Sequence, residues 1–175
     1  MTQYIHAVPN FSDGRRKEVI DAVVAQLEDI DGVKLIDHYP DPNFNRTVIE
    51  VIGRPEPLKE ALINMAGKSY ELIDMEKQSG DHPRIGAQDT IPLFPLANIT
   101  LEECVALAEE IGKELYDRYQ VPVFFAGENA RTPERKNLDF IRKGQYEGLK
   151  QVVHLPERAP DIGPAKRAQR AIVPP

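Results

Sequence analysis

The chain holds one cysteine, Cys104, among 175 residues. A disulfide framework within it is therefore excluded, and so is a zinc site built from thiolates. No uninterrupted apolar stretch approaches the ~18 residues that span a bilayer. The opening "MTQYIHAVPN" also lacks the basic-flanked apolar run of a secretory leader. The expectation is a soluble, cytoplasmic protein with no membrane partner, in which the "NRT" and "NIT" triplets carry no glycosylation. HExxH-like spacing is missing as well: His6, His38, His82 and His154 are scattered, and no metal site is expected.

Basic and aromatic side chains are not interleaved, and the net charge is −6. Residues 131–175 hold 10 Lys+Arg against 5 Asp+Glu, a local +5, which leaves 12 against 23, or −11, for residues 1–130. So acidic a body argues against nucleic acid as a partner. The basic C-terminal third suits a small anionic ligand, or it is a solvated charged tail. The length fits one domain with a real core.

Hydrophobic periodicity alternates between the two regular types. "YIHAV" (4–8) reads as a short strand ending at Pro9. Val19, Ile20, Val23, Val24, Leu27 and Ile30 recur at helical spacing, with Gly32 where a C-terminal cap belongs. "VKLID" (33–37) and "TVIEVIG" (47–53) read as strands joined by the loop "HYPDPNFNR". A second helix starts at Pro55 and Pro57. "TIPLFPL" (90–96) suits an edge or irregular strand, because its prolines cannot donate to a ladder. Thr100 and Glu103 form a capping box for a third helix. "VPVFFA" (121–126) reads as a buried strand, and Thr132-Pro133 starts a short basic helix. The order is β-α-β-β-α-β followed by α-β-α. This is an α+β, two-layer α/β sandwich with a ferredoxin-like core, in which two helices cover one face of an antiparallel sheet.

Three loops combine Asn, Asp, Arg or His with Gly or Pro: "VPNFSDGR" (8–15), "DHYPDPNFNRT" (37–47) and "GDHPRIGAQD" (80–89). Taken singly, each is explained by Asx-turns and helix caps. Gathered at one end of the sheet, they would form a site on a rigid scaffold. His82 is the foremost candidate. Pro83 biases it away from the α region, and Gly80 and Gly86 permit tight turns on either side. An imidazole held in this way suits proton transfer near neutral pH. A lone loop histidine is as a rule a surface or structural residue, and nothing adjacent in sequence supplies a nucleophile.

The phrases "VPNFSDGR", "NRTV", "LIDM", "GDHPRIGAQDTIPLFPL", "GEN", "IRKGQYEGL" and "APDIGP" occur in this order over residues 3–165. In that order they resemble the N-terminal subdomain of the glutamate formimidoyltransferase (formiminotransferase-cyclodeaminase) family. The His-Pro-Arg-x-Gly-Ala-x-Asp run is its most specific part. The resemblance implies a ferredoxin-like fold and transfer of a formimidoyl group from N-formimidoyl-glutamate to tetrahydrofolate, usually in histidine breakdown. Tetrahydrofolate is then a co-substrate, and no metal is involved. The resemblance implies that His82 is the catalytic acid/base and that Asp37 or Asp41 stabilises the cationic amidine. Asn10, Asn45 and Arg46 would orient substrate groups, with Arg84 also among the binding residues. Asp161, Ile162, Gly163 and Pro164 match the stretch that lines the folate site.

Departures from the family pattern are Phe44, where relatives often carry His before Asn-Arg, and Asn129, Gln145 and Ile162 for Ala, Glu and Phe. Relatives also continue into a second subdomain, and folate is held between the two halves. This chain reads "RAQRAIVPP" after Lys166 and stops. The expectation is a natural stand-alone subdomain over residues 1–165, with an extended tail over 166–175. The missing wall would come from a separately encoded second subdomain or from self-association. The alternative is a non-catalytic folate-binding or scaffolding module that keeps the loops without turnover.

Overall fold

The computed structural model of the chain describes residues 1–164, so the expected tail at 166–175 lies outside the described residues. Its sheet grows from the alternation in "RTVIEVIG". On β4 (Arg46–Gly53) the side chains of Thr47, Ile49 and Val51 are buried, while Arg46, Val48, Glu50 and Ile52 face the other way. β4 pairs with β3 (Val33–Asp41) on one side and with β1 (Tyr4–Ala7) and β2 (Asn10–Phe11) on the other. β1 and β2 are two pieces of one strand, interrupted at Val8-Pro9. β5 (Gln88–Thr90) and β6 (Leu93–Ala97) are likewise one strand broken around Pro92. The sheet therefore has four broken or continuous strands in the order β3, β4, β1/β2, β6/β5, all antiparallel. This is the expected ferredoxin-like arrangement.

β3 runs four residues further than the expected 33–37, through Pro40 to Asp41. Among the described residues it pairs only with β4, and proline is tolerated on such an edge strand. The hairpin then closes through Asn45, which takes a left-handed φ of 52°.

α1 (Lys17–Val24) and α2 (Pro55–Leu72) cover the buried face of the sheet. α1 is shorter than its apolar spacing suggested. The chain tightens into a 3₁₀ turn at Ala25–Leu27, and left-handed Asp29 and Gly32 prevent any continuation. α3 (Leu101–Tyr119) starts on the expected capping box, with Glu103 N donating to Thr100 Oγ1 and Thr100 N donating to Glu103 Oε2. Such a cap is worth about 0.5–2 kcal/mol. α3 packs beside α2 and is tied to it by Lys59–Glu110 and Arg118–Glu60 ion pairs.

The segment 121–126 is buried as expected but is not a strand of the sheet. Its backbone bonds go to residues 161–162 instead: Val123 N donates to Ile162 O, Asp161 N to Val123 O, and Phe125 N to Asp161 Oδ2. The expected fourth helix is a 3₁₀ turn at Pro133–Lys136 followed by α4 (Leu138–Arg142) and α5 (Gln145–Val152). Ile85 of the loop 80–89 packs with Phe124, Ile141, Leu149 and Val153 in a second apolar cluster. That cluster docks the C-terminal helices against the histidine loop. Among the described residues, no helix is long and apolar enough to cross a membrane.

Candidate active site

The three polar loops meet at one end of the sheet, and Asn45 stands at their junction. Its Oδ1 accepts from Gly14 N at 3.0 Å, its Nδ2 donates to Ser79 O at 2.9 Å, and its carbonyl accepts from Gln78 Nε2 at 3.0 Å. Asparagine tolerates the left-handed conformation required there. Ser12 Oγ donates to Gly86 O at 2.7 Å, and Thr47 Oγ1 donates to Asp13 O at 2.6 Å. Asp81 N and His82 N donate to the carbonyls of Asn43 and Phe44. Neither Gly80 nor Gly86 adopts a left-handed φ. Gly80 is needed for proximity: a Cβ there would lie 2.3 Å from Phe44 O.

His82 is held rigidly, with only 4% of its surface exposed. Nε2 lies 3.1 Å from Oδ2 of fully buried Asp89, and Nδ1 lies 3.4 Å from Nη1 of Arg46. Arg142 from α4 also donates to Asp89 Oδ2. Arg46 stacks on Phe44, with its guanidinium carbon 5.3 Å from the ring centroid, so the departure at position 44 supplies a platform. Among the described residues Arg46 makes no ion pair, and its Nε is buried without a partner.

Register places several of the expected residues on the open face of the sheet. Partners across an antiparallel ladder share a face. Asn10 is opposite Val48, Asp37 opposite Glu50, and Asp41 opposite Arg46. Asp37 is exposed there. Asp41 Oδ1 is engaged by Asn43 N and Phe44 N and so fixes the turn. Asn10 Nδ2 donates to Thr90 Oγ1, while Asn10 Oδ1 and Gln88 Oε1 are buried acceptors without partners among the described residues. Tyr4, Tyr39, Phe94 and Leu96 leave exposed apolar surface on β1, β3 and β6.

Arg84 reaches the Asn45 junction through Gln78, whereas the 161–164 stretch is bonded to segment 121–126. Buried Arg84 spends its donors on Gln78, Gln145 and Glu147, and holds the Glu147 carboxyl below its ordinary range. Asp161 Oδ2 accepts from Phe125 N and from Arg135 Nη1 at 2.9 Å. Ile162 bridges to Val123, Gly163 takes φ +94° against the Tyr116 ring, and Pro164 is exposed. Asp89 and Arg142 were not singled out from sequence. The Asp that closes the His-Pro-Arg-x-Gly-Ala-x-Asp run was the available signal for the first, and nothing marked the second. Among the described residues, no group of three or more His, Cys, Asp or Glu is arranged to hold a metal ion.

A mainly apolar pocket of about 400 Å³ adjoins this end of the sheet. Thr90, Phe94, Cys104 and Val105 of α3, Asn129 and Lys136 are among the residues that line it.

The arrangement has one buried imidazole between a carboxylate and a guanidinium with no carboxylate partner among the described residues, beside an open sheet face of mixed polarity and an apolar pocket. It can move a proton next to a bound anion. The family described as formiminotransferase domain, N-terminal subdomain, matches residues 4–172. Formimidoyltransferase-cyclodeaminase of Sus scrofa is 42% identical over 165 residues, covering 94% of this chain and 30% of the relative. Glutamate formimidoyltransferase of Streptococcus pyogenes serotype M1 is 37% identical over 166 residues, covering 95% of this chain and 56% of the relative. The enzyme of that name from Thermoplasma acidophilum is 36% identical over 163 residues, covering 92% and 54%. The chain thus spans between about a third and just over half the length of these curated relatives. With the family matching nearly its whole length and the characteristic loops assembled around His82, the chain belongs to the formiminotransferase family, as its N-terminal subdomain.

Proposed function

We propose that this chain carries the proton-transfer half of a formimidoyltransferase site, acting on N-formimidoyl-glutamate and tetrahydrofolate. The observation that supports it most is His82 buried between Asp89 and a guanidinium, Arg46, that has no carboxylate partner of its own among the described residues. A substrate carboxylate is the natural partner for such a guanidinium. Drawing Arg46 toward that carboxylate frees His82 Nδ1 beside the reacting group.

The reaction forms a bond from folate N5 to the formimidoyl carbon and breaks the bond from that carbon to the glutamate nitrogen. His82 takes the proton leaving N5 and returns one to the departing nitrogen, so that no net proton is consumed. Assistance of this kind is worth roughly 10²–10⁴-fold in rate. Asp37 and Asp41, on the same open face as Arg46, supply negative charge toward the cationic tetrahedral centre. Asn10 Oδ1 and Gln88 Oε1 are acceptors for ligand N–H groups, and the neighbouring pocket suits a flat, largely apolar ring. Asp161, Ile162, Gly163 and Pro164, held against the buried 121–126 segment, would line the folate. The local positive charge of the C-terminal third suits the folate's glutamate tail.

The open face, with exposed Tyr39, Phe94 and Leu96, is the wall against which a second subdomain, or a second copy of this chain, completes the cleft. A second reading has its own observation: both ring nitrogens of His82 are engaged and the ring is almost inaccessible. On that reading the chain is a folate-binding or scaffolding module without turnover.

A spectrophotometric assay for 5-formimidoyl-tetrahydrofolate decides between them. It is run on the chain alone, with a separately encoded second subdomain, and with His82→Ala. Product formation lost in His82→Ala supports the transferase. Absence of product in every arm, with folate binding retained by calorimetry, leaves the module.

A further inference from the structure

Asp89 lies on β5, seven residues after His82, and is fully buried. Both of its oxygens act as acceptors. Oδ1 receives the backbone N–H of Ile85 at 2.7 Å, while Oδ2 receives Arg142 Nη2 and faces His82 Nε2 at 3.1 Å. The hydrogen between Asp89 and the ring therefore belongs to His82 Nε2. On the ring's other side, Arg46 Nη1 lies 3.4 Å from Nδ1. A guanidinium has donors only, so Nδ1 is the acceptor. Two neighbours on different strands thus require the same tautomer, with hydrogen on Nε2 and the lone pair on Nδ1.

We propose that Asp89 is the positioning residue of this site: it fixes His82 as the Nε2–H tautomer, so that Nδ1 is the nitrogen that exchanges a proton with substrate, and Arg142 fixes Asp89 in turn. The proposal rests on the reading of His82 as the proton carrier. In the reaction one proton enters at Nδ1 and leaves from Nδ1, while the Nε2–H stays in place. Asp89 offsets the positive charge the ring carries in between, and its contact with Ile85 N–H keeps the loop from turning the ring over.

The role of Arg142 follows from its position. It stands on the short helix α4, 53 residues along the chain from Asp89, and its side chain is largely buried against that carboxylate. Without it, the Asp89 carboxylate would be held, among the described residues, only by Ile85 N–H and His82 of the same loop. The charged groups facing the ring are thus Arg46 from β4, Asp89 from β5 and, through Asp89, Arg142 from α4. The basic C-terminal third takes part in positioning the imidazole through this contact, in addition to any attraction for an anion.

The test is ¹⁵N-resolved long-range NMR of the histidine rings in the full 175-residue chain above neutral pH, with His82 assigned by the loss of its signals in His82→Gln. The expected result is a single Nε2–H form for His82. In Asp89→Asn, whose amide can turn its NH₂ toward the ring, that preference is lost or inverted. Arg142→Gln tests the outer part at a side chain less buried than Asp89, and is expected to give a mixture of tautomers. A wild-type ring in the Nδ1–H form, or an unaltered ring in folded Asp89→Asn, overturns the proposal, and an unaltered ring in Arg142→Gln overturns the part assigned to Arg142. Where turnover is measured, Asp89→Asn lowers kcat by up to about 10⁴-fold, the loss a wrong tautomer causes in a comparable His–Asp pair, and leaves KM near its wild-type value. The NMR result stands whether or not the chain turns over, so failure of the transfer reading is distinguishable from failure of this one.

Discussion

Arg84 and Glu147, 63 residues apart in sequence, form a bidentate ion pair: Nη1 meets Oε2 at 2.9 Å and Nη2 meets Oε1 at 2.7 Å. The pair joins the histidine loop to α5, alongside a backbone bond from Tyr146 N to Arg84 O. Arg84 is buried while Glu147 is largely solvent-exposed, so screening reduces the Coulomb gain. The larger effect is on the arginine, which would be left short of a charged partner.

Glu147→Gln is therefore expected to lower unfolding stability by about 1–2 kcal/mol, toward the lower end for a hydrogen bond to a charged group. Faster hydrogen exchange at Ile85 and Tyr146 should accompany it. The pH dependence has a definite sign. The Arg84 guanidinium lowers the Glu147 pKa in the folded state, so its contribution is fully present above the ordinary glutamate pKa. It is lost as pH falls through the lowered folded value. Urea melts on either side of that window should show a smaller acid-dependent loss in Glu147→Gln than in the wild type.

Gly80→Ala tests how closely the loop sits on the β3–β4 turn. The new Cβ would stand 2.3 Å from Phe44 O and 2.7 Å from Asn45 Cβ, and neither atom belongs to the free end of a flexible side chain. Either the loop lifts, breaking the bonds from Asp81 N and His82 N, or the turn moves and takes Arg46 with it. The expected cost is about 1–3 kcal/mol in urea unfolding, typical of overpacking. An unchanged midpoint would show that the two loops are not in contact in solution.

The core and its helices were legible because period and capping agree with burial. "TVIEVIG" alternates and is half buried, and Thr100 with Glu103 caps α3 in the structure. Segment 121–126 was not resolved by the same rules, because a continuous apolar run reads alike whether its backbone pairs with a sheet or, as here, with a distant extended stretch. The site was legible in part. Loop chemistry singled out His82, Asn45 and Arg46 as candidates, and the fold brings them together. The contact of Asp89 with His82 depends on how the loop folds back between them, and that of Arg142 on the docking of α4, which no local pattern encodes. Gly80 was noticed for the wrong physical property: freedom of φ was expected, and absence of a side chain is what the structure uses.

Arg46→Gln separates binding from fold. The guanidinium has no ion pair among the described residues, so its removal is expected to cost only its stacking on Phe44 and its long hydrogen bond to His82, about 1 kcal/mol of unfolding stability. Under the transferase reading it removes a charge-assisted contact to a substrate carboxylate, worth about 1.5–3 kcal/mol. The measured outcome should be a rise of roughly 10–100-fold in KM for the formimidoyl donor, with only that small loss of stability. A large loss of stability with unchanged KM would instead assign Arg46 to the fold.

Cys104 reports on the opening of α3 from the sheet. It is 2% exposed, on the wall of the apolar pocket, and burial, with the Glu103 carboxylate adding to it, pushes its thiol pKa up. The reactive species is the thiolate, so both access and ionisation slow its attack on a disulfide reagent. Native-state labelling should be far slower than in the unfolded chain, and should accelerate with urea below the global unfolding midpoint if α3 opens locally. The sign with pH follows from the raised value. The unfolded thiol ionises first, so its contribution to stability is present below the unfolded pKa and lost as pH rises through that pKa toward the folded one. Fast native labelling, insensitive to urea, would mean that the pocket admits the reagent without any movement of α3. A flat apolar ligand seated in the pocket would then be expected to protect Cys104 directly, and the protection would measure its affinity.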